Sequence, residues 1–262
     1  MRVPAKSRDS PKAWKILPDP EGRFSSGSPA FDRLLGGGFK RGSLALFEMD
    51  ESVGLEDLDL LLYPTYLNML YQSRGMVAVL PSRDSPHDFR SRLTRYVTRR
   101  RFDSRVRIFD YVGEDRELSY VVSLHDPETD VLNPPKDPAR RKRAIAKAVA
   151  AEKAAQGGRK KPFIELVAFE VFDTLMGSEN ALKVLYHGIK RTRQLGNLGI
   201  GLLGPGVGCA PGLRRMADTE FRLRRDDVGL VVRGVRPAFS GHLVSADLSA
   251  GLPHVAFAPP TA

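Results

Sequence analysis

Eight apolar segments of strand length run along this chain, and their spacing constrains the fold more than any other feature. The first five are Ser43–Glu48, Met76–Leu80, Val106–Tyr111, Phe163–Phe169 and Ile200–Leu203, separated by long stretches that mostly carry helical periodicity. The last three, Thr219–Arg224, Gly229–Arg233 and Ser240–Ala246, follow one another across short turns, with Asp226-Asp227 at one of them. Strands joined through helices form a parallel sheet covered on both faces, whereas strands joined by turns form an antiparallel meander. The order predicts an α/β fold: a three-layer α/β/α sandwich with a mostly parallel sheet and a small antiparallel C-terminal edge.

The connecting segments carry their own punctuation. Ser28-Pro29 opens a short helix with Phe31, Leu34 and Leu35 buried, and Gly36-Gly37-Gly38 ends it. Leu55–Gln72 reads as a helix with Leu58, Leu61, Leu62 and Tyr66 inward and a kink at Pro64. A helix from Ser85-Pro86 to about Arg101 places Phe89, Leu93 and Tyr96 inward and Arg92, Arg95 and Arg99 on one polar face. Glu179–Leu195 is amphipathic, and Ala210–Ala217 is a short helical turn. Residues 1–22, with four prolines, read as a flexible arm on which Trp14 and Ile16 offer docking side chains. Residues 23–262 read as one domain, interrupted at about 126–162 by an exposed basic insertion.

That insertion holds most of the charge. The chain of 262 residues carries a net +10. Pro134–Lys161 contributes ten cations against two anions, so +8 of the +10 lies in 28 residues. Its alanines and long cations are strong helix formers with little apolar surface to bury. Arg140, Arg141, Lys142, Arg143 and Lys147 suit phosphate contacts without base readout, and a solvated helix is the alternative.

Several function classes drop out. One cysteine, Cys209, excludes an internal disulfide framework and a cysteine-cluster metal site. With five histidines and neither HExxH nor CxxC, a zinc enzyme is excluded. No apolar run approaches the roughly 20 residues of a membrane span, and the first residues lack a secretory core. A cytoplasmic globular protein is expected, with no cofactor.

The stretch SGSPAFDRLLGGGFKRGSLALFE resembles the opening of the KaiC-like and RadA-like branch of the RecA superfamily, where a helix ending in Leu-Leu-Gly-Gly-Gly leads through a basic turn into the first core strand. ELVAFEVFDTL is similar to that family's Walker B strand, and RMADTEFRLRR with the following meander resembles its closing strands. The resemblance covers roughly residues 24–125 and 163–257. It implies a RecA-like fold and a subunit that packs edge to edge in a dimer or ring, with itself or with a paralogue.

The family's chemistry depends on a phosphate loop, G-x-x-x-x-G-K-[ST], whose amides wrap phosphates, whose lysine neutralises them and whose hydroxyl holds magnesium. Here that stretch reads FEMDESVGLEDLDL. Gly54 survives, Leu55 and Glu56 stand where lysine and hydroxyl belong, and Asp50, Glu51, Asp57 and Asp59 surround them. At about 4 Å and an effective dielectric near 20, each like-charge contact with a triphosphate costs about 4 kcal/mol. Where the resemblance implies paired glutamates before Ser-Pro, Arg83-Asp84 stands, and the Walker B aspartate falls on Glu170. The expectation is a non-catalytic scaffold or regulatory module that binds RNA or DNA backbone. The degenerate site is Gly54, Leu55, Glu56, Asp84 and Glu170. Arg140, Arg141, Lys142, Arg143, Lys147, Arg92, Arg95 and Arg99 form the nucleic-acid surface. The alternative is an active ATPase that takes a cation from Lys40 or Arg41. The acidic Phe47-Glu48-Met49-Asp50 before the leucine-rich Leu58–Leu62 also resembles the fourth subunit of the Elongator complex, which implies a ring and transfer-RNA binding.

Overall fold

A computed structural model describes residues 14–111, 118–123, 139, 146, 150, 161–249 and 251–259. Its elements in chain order begin with β1 (Arg23–Phe24), α1 (Pro29–Leu34), β2 (Phe39–Lys40), β3 (Ser43–Met49) and α2 (Leu55–Tyr71). They continue with β4 (Met76–Val79), α3 (Pro86–Leu93), α4 (Arg99–Arg105), β5 (Val106–Asp110), β6 (Val121–Ser123) and β7 (Ile164–Ala168). Then come α5 (Phe169–Met176), α6 (Ser178–Leu195), β8 (Leu198–Leu203), α7 (Ala210–Met216), β9 (Thr219–Asp226), β10 (Gly229–Arg236), β11 (Phe239–Asp247) and β12 (His254–Ala258).

Ten strands form one sheet in the order β12-β11-β10-β9-β3-β8-β7-β4-β5-β6. From β9 to β6 every pairing is parallel, and β9 to β12 is antiparallel. The predicted α/β class, the parallel majority and the antiparallel edge are all present. β3 lies between β8 and β9, so its side chains are buried on both faces. Ala45, Phe47 and Met49 join one core with α1, α2, α3 and α4, while Leu44 and Leu46 join a second with α5, α6 and α7. This split is the period-two alternation of a strand between two helical layers. In β8 the alternation reads Leu-Gly-Ile-Gly because α5 lies close: a Cβ at Gly201 would stand 2.3 Å from the Phe169 ring.

Four expectations need correction. The helix predicted from residue 86 to 101 is two helices: α3 ends at Leu93 with Thr94 as its C-cap, and Thr98 opens α4 by accepting the Arg101 amide on its hydroxyl at 3.2 Å. Arg92 on α3 and Arg99 on α4 therefore do not share one helical face. Residues 14–22, read as part of the arm, belong with the body of the domain. Trp14 is buried against His254, and Asn68 accepts from the Leu17 amide and donates to its carbonyl. The β7 strand stops at Ala168, and Phe169, predicted as its last residue, begins the helix that carries Glu170. β12 and the short β6 have no counterpart in the predicted elements. Within the insertion Ala139, Ala146 and Ala150 are helical, and the cations Arg140, Arg141, Lys142, Arg143 and Lys147 lie outside the described residues.

Candidate functional site

In a mostly parallel sheet, the carboxyl ends of the strands gather the loops that lead into helices. Here those are the loops after β3, β4, β7 and β8, and they bring Gly54, Asp84 and Glu170 to one edge.

The loop after β3 is five residues, Asp50 to Gly54, and it folds on itself. The Ser52 amide donates to the Asp50 carboxylate at 2.9 Å, and the Val53 amide donates to the Asp50 carbonyl at 3.2 Å. The Gly54 amide donates to the Asp57 carboxylate at 3.0 Å. Gly54 is thus the N-cap of α2, and the cap oxygen comes from Asp57 three residues on. A carboxylate of the chain itself occupies the positive end of the helix, where a phosphate sits in a phosphate loop. Asp57 also pairs with Arg225 of β9. Leu55 is the first residue of α2 and half-buried, and Glu56 points to solvent.

Asp84, after β4, is turned inward. Its side chain is only 3% exposed and accepts both Nη atoms of Arg92 at 3.0 and 2.6 Å. The same guanidinium donates through Nε to Asp59 at 2.6 Å, and the Tyr63 hydroxyl donates to Asp59 at 3.0 Å. Burial pushes the Asp59 carboxyl above its ordinary range, and Arg92 pulls it back. Arg92 was expected on an exposed phosphate-binding face; it is the centre of a buried Asp–Arg–Asp cluster instead. Arg95 and Arg99 are exposed.

Arg83, in the place of a carboxylate, donates to the Val53 carbonyl at 3.2 Å and ties the two loops together. Glu170, on the first turn of α5, accepts from both the amide and the hydroxyl of Ser82 at 2.9 Å. Asp50, Asp57, Asp84 and Glu170 therefore each have an internal donor, while Glu51 and Glu56 are exposed. Lys40 and Arg41 precede β3 while the loop follows it, about 20 Å away along seven extended residues. Arg41 is paired with Asp19 at that far end.

Cys209 is buried, and burial together with the neighbouring Asp173 pushes its thiol up to about 11, which leaves no thiolate nucleophile at neutral pH. Among the described residues no three His, Cys, Asp or Glu side chains cluster as a metal site, and no helix is long and apolar enough to cross a membrane. Sequence reasoning found the acidic loop but missed the Asp57 cap and the Asp59–Arg92–Asp84 cluster. The Gly54-to-Asp57 spacing of a capping box was the available signal for the cap.

The strand order, the two helical layers and the meander define the fold of KaiC-like proteins of the RecA superfamily. A KaiC-like protein of the archaeon Pyrococcus horikoshii superposes with a TM-score of 0.55 at 16% identity, covering 90% of this chain and 99% of that one. An uncharacterised protein of the same archaeon, solved in complex with an unknown peptide, superposes with a TM-score of 0.59 at 14% identity over 89% of this chain and 99% of that one. Among curated proteins the chain is similar to GvpD2 of Halobacterium salinarum, 24% identical over 258 residues that span 92% of this chain and 48% of GvpD2. GvpD1 of the same organism is 30% identical over 101 residues, 38% of this chain and 19% of GvpD1. The chain thus spans half or less of the length of these relatives. No protein-family profile matches it.

Proposed function

We propose that this chain is a non-catalytic KaiC-like module, a regulatory or scaffold subunit that assembles with itself or a RecA-like paralogue and contacts nucleic-acid backbone through its basic insertion. One observation carries the non-catalytic part. The three amides of Ser52, Val53 and Gly54 are taken by oxygens of the loop and of Asp57. A triphosphate placed there meets carboxylates instead of free donors, and among the described residues no lysine belongs to the loop or pairs with its carboxylates. The residues present do not fit a magnesium nucleotide, so no hydrolytic step is derived through one. The regulatory reading draws on the likeness to KaiC-like proteins, and the nucleic-acid reading rests on the charge of Pro134–Lys161 alone. An Elongator-like preference for transfer RNA is the finer form of that second reading.

Calorimetry with magnesium ATP at millimolar concentration tests the first part. No heat of binding is expected. Micromolar affinity, or ATP turnover abolished by Glu170→Gln, overturns it. The second part is tested by replacing Pro134–Lys161 with a short Gly-Ser linker and measuring RNA and DNA binding against salt. The parent should lose affinity with a log–log slope of roughly −0.9 per duplex contact or −0.7 per single-strand contact. A folded deletion that binds as tightly and with the same slope makes the insertion a spacer.

A further inference from the structure

The meander carries an arrangement that its own fold does not explain. β9 and β10 pair so that Arg222 stands directly opposite Arg233. Like charges facing each other across an antiparallel pair repel and cost stability. Arg224 lies two residues along β9 on the same face. Arg233 is exposed with no carboxylate in ion-pair range among the described residues, and Arg222 and Arg224 are more than half exposed, at 57% and 68%. The acids nearby are already engaged. Glu48 is held by Arg214 in a two-pronged pair and touches Arg222 only at 3.6 Å. Asp226 accepts the Val228 and Gly229 amides of its own turn through one oxygen and touches Arg224 only at 3.7 Å through the other.

These arginines rim a groove of about 1560 Å³ whose floor is the face of β9 to β12 that no helix covers. Its wall is α7 with the loop Gly204–Gly208. Val231 and Leu243, opposite each other in register, make the floor apolar, and Val228 at the rim is 73% exposed. The groove crosses from β3 to β12, about 19 Å at the usual strand spacing, which is the length of about six extended residues.

We infer that this groove docks an acidic, apolar-bearing segment of a partner protein. Its carboxylates lie between Arg222 and Arg233 and on Arg224, and its apolar side chains cover Val231, Leu243 and Val228. An anion between two facing arginines turns a repulsion into two charge-assisted hydrogen bonds. The apolar floor selects a peptide over a nucleic acid, because single strands are held by bases stacked on free aromatic rings: Val231 and Leu243 are aliphatic, and the ring of Phe239, the aromatic residue of the lining, is already packed on Phe221 and His242. The inference is independent of whether the loop after β3 binds nucleotide.

The test uses the full chain and a fluorescein-labelled peptide of about ten residues alternating Glu with Leu or Val. Its Lys-for-Glu counterpart and an oligothymidylate of similar length serve as competitors. Polarisation should show the acidic peptide binding the parent and the lysine peptide failing to bind. Arg233→Gln should weaken the acidic peptide about tenfold, and Arg222→Gln with Arg233→Gln about a hundredfold, while thermal midpoints stay level or rise as the repulsion is relieved. Unchanged affinity in both folded variants overturns the proposal. So does oligothymidylate displacing the peptide with the same arginine dependence, which makes the groove a nucleic-acid site. A dimer of the parent that the double variant dissociates also overturns it, since a second copy then fills the groove.

Discussion

Arg92, beneath the carboxyl edge of the parallel strands, and Arg233, on the open face of the meander, are both strand- or helix-borne arginines, and their surroundings differ in kind. Arg92 is 19% exposed and shares its guanidinium between two carboxylates that are 9% and 3% exposed. Arg233 faces another arginine across a strand pair and opens onto solvent. Around the loop after β3 three carboxylates are turned inward while Glu56 faces solvent: Asp57 caps a helix, Asp84 holds Arg92, and Glu170 holds Ser82. In the meander the arrangement is the reverse, and charge is presented at a cost to the free chain. The comparison teaches that residue type alone does not mark a site. What marks it is whether the partners of a charged group are supplied by the chain itself.

The contrast is most sharply tested at Arg92. Arg92→Ala leaves two buried carboxylates without their cation and should cost about 3–5 kcal/mol, read as a fall in the urea midpoint. Replacing Asp59, Arg92 and Asp84 together by apolar residues of similar volume should recover much of that loss. If Arg92→Ala is as stable as the parent, the cluster is not the internally satisfied structure described here.

A smaller effect is expected at Asp57. Asp57→Ala removes the oxygen that caps the Gly54 amide and should cost about 1 kcal/mol, within the range for lost N-caps. The Gly54 amide should then exchange with solvent deuterium faster than in the parent, and an unchanged exchange rate contradicts the assignment of the cap.

At Arg233 the stability change should fall within about 0.5 kcal/mol, as for exposed positions, and its sign should be favourable. A loss of more than 1 kcal/mol in Arg233→Gln would show that the arginine holds the meander together, which would erase the difference from Arg92.

Cys209 separates the two regions by reactivity and has the smallest effect at neutral pH. Its thiol is raised in the folded chain from about 9.0 to about 11, so the fold favours the protonated form. That contribution is full below about pH 9 and is lost as pH rises through about 11. Iodoacetamide should label the folded chain slowly at pH 8 and rapidly only above about pH 11 or after unfolding. Fast labelling at pH 8 would place the thiol on the surface.

The alternation of apolar strands with helices, the Gly-Gly-Gly stop after α1 and the closing meander were legible because each is a local pattern with a local cause. Ser28 and Ser85 cap the helices they precede, as read from Ser-Pro alone. The break between Leu93 and Thr98 was not legible, since the arginine periodicity continues through it. β12 was missed because His254–Ala258 is held by pairing with β11, 243–247, rather than by its own pattern.

By itself the sequence determined that no G-x-x-x-x-G-K-[ST] run follows the first core strand and that acids crowd that stretch. Which way those acids point was decided only by tertiary structure. Asp84 meets Arg92 across one helix, Glu170 meets Ser82 across 88 residues, and Asp57 meets Arg225 across 168. The pairing of Arg222 with Arg233 likewise depends on strand register, and a slip of one residue would send either side chain to the opposite face. Local pattern sets which elements form; charge partners come from distant segments, and only the packed sheet brings them together.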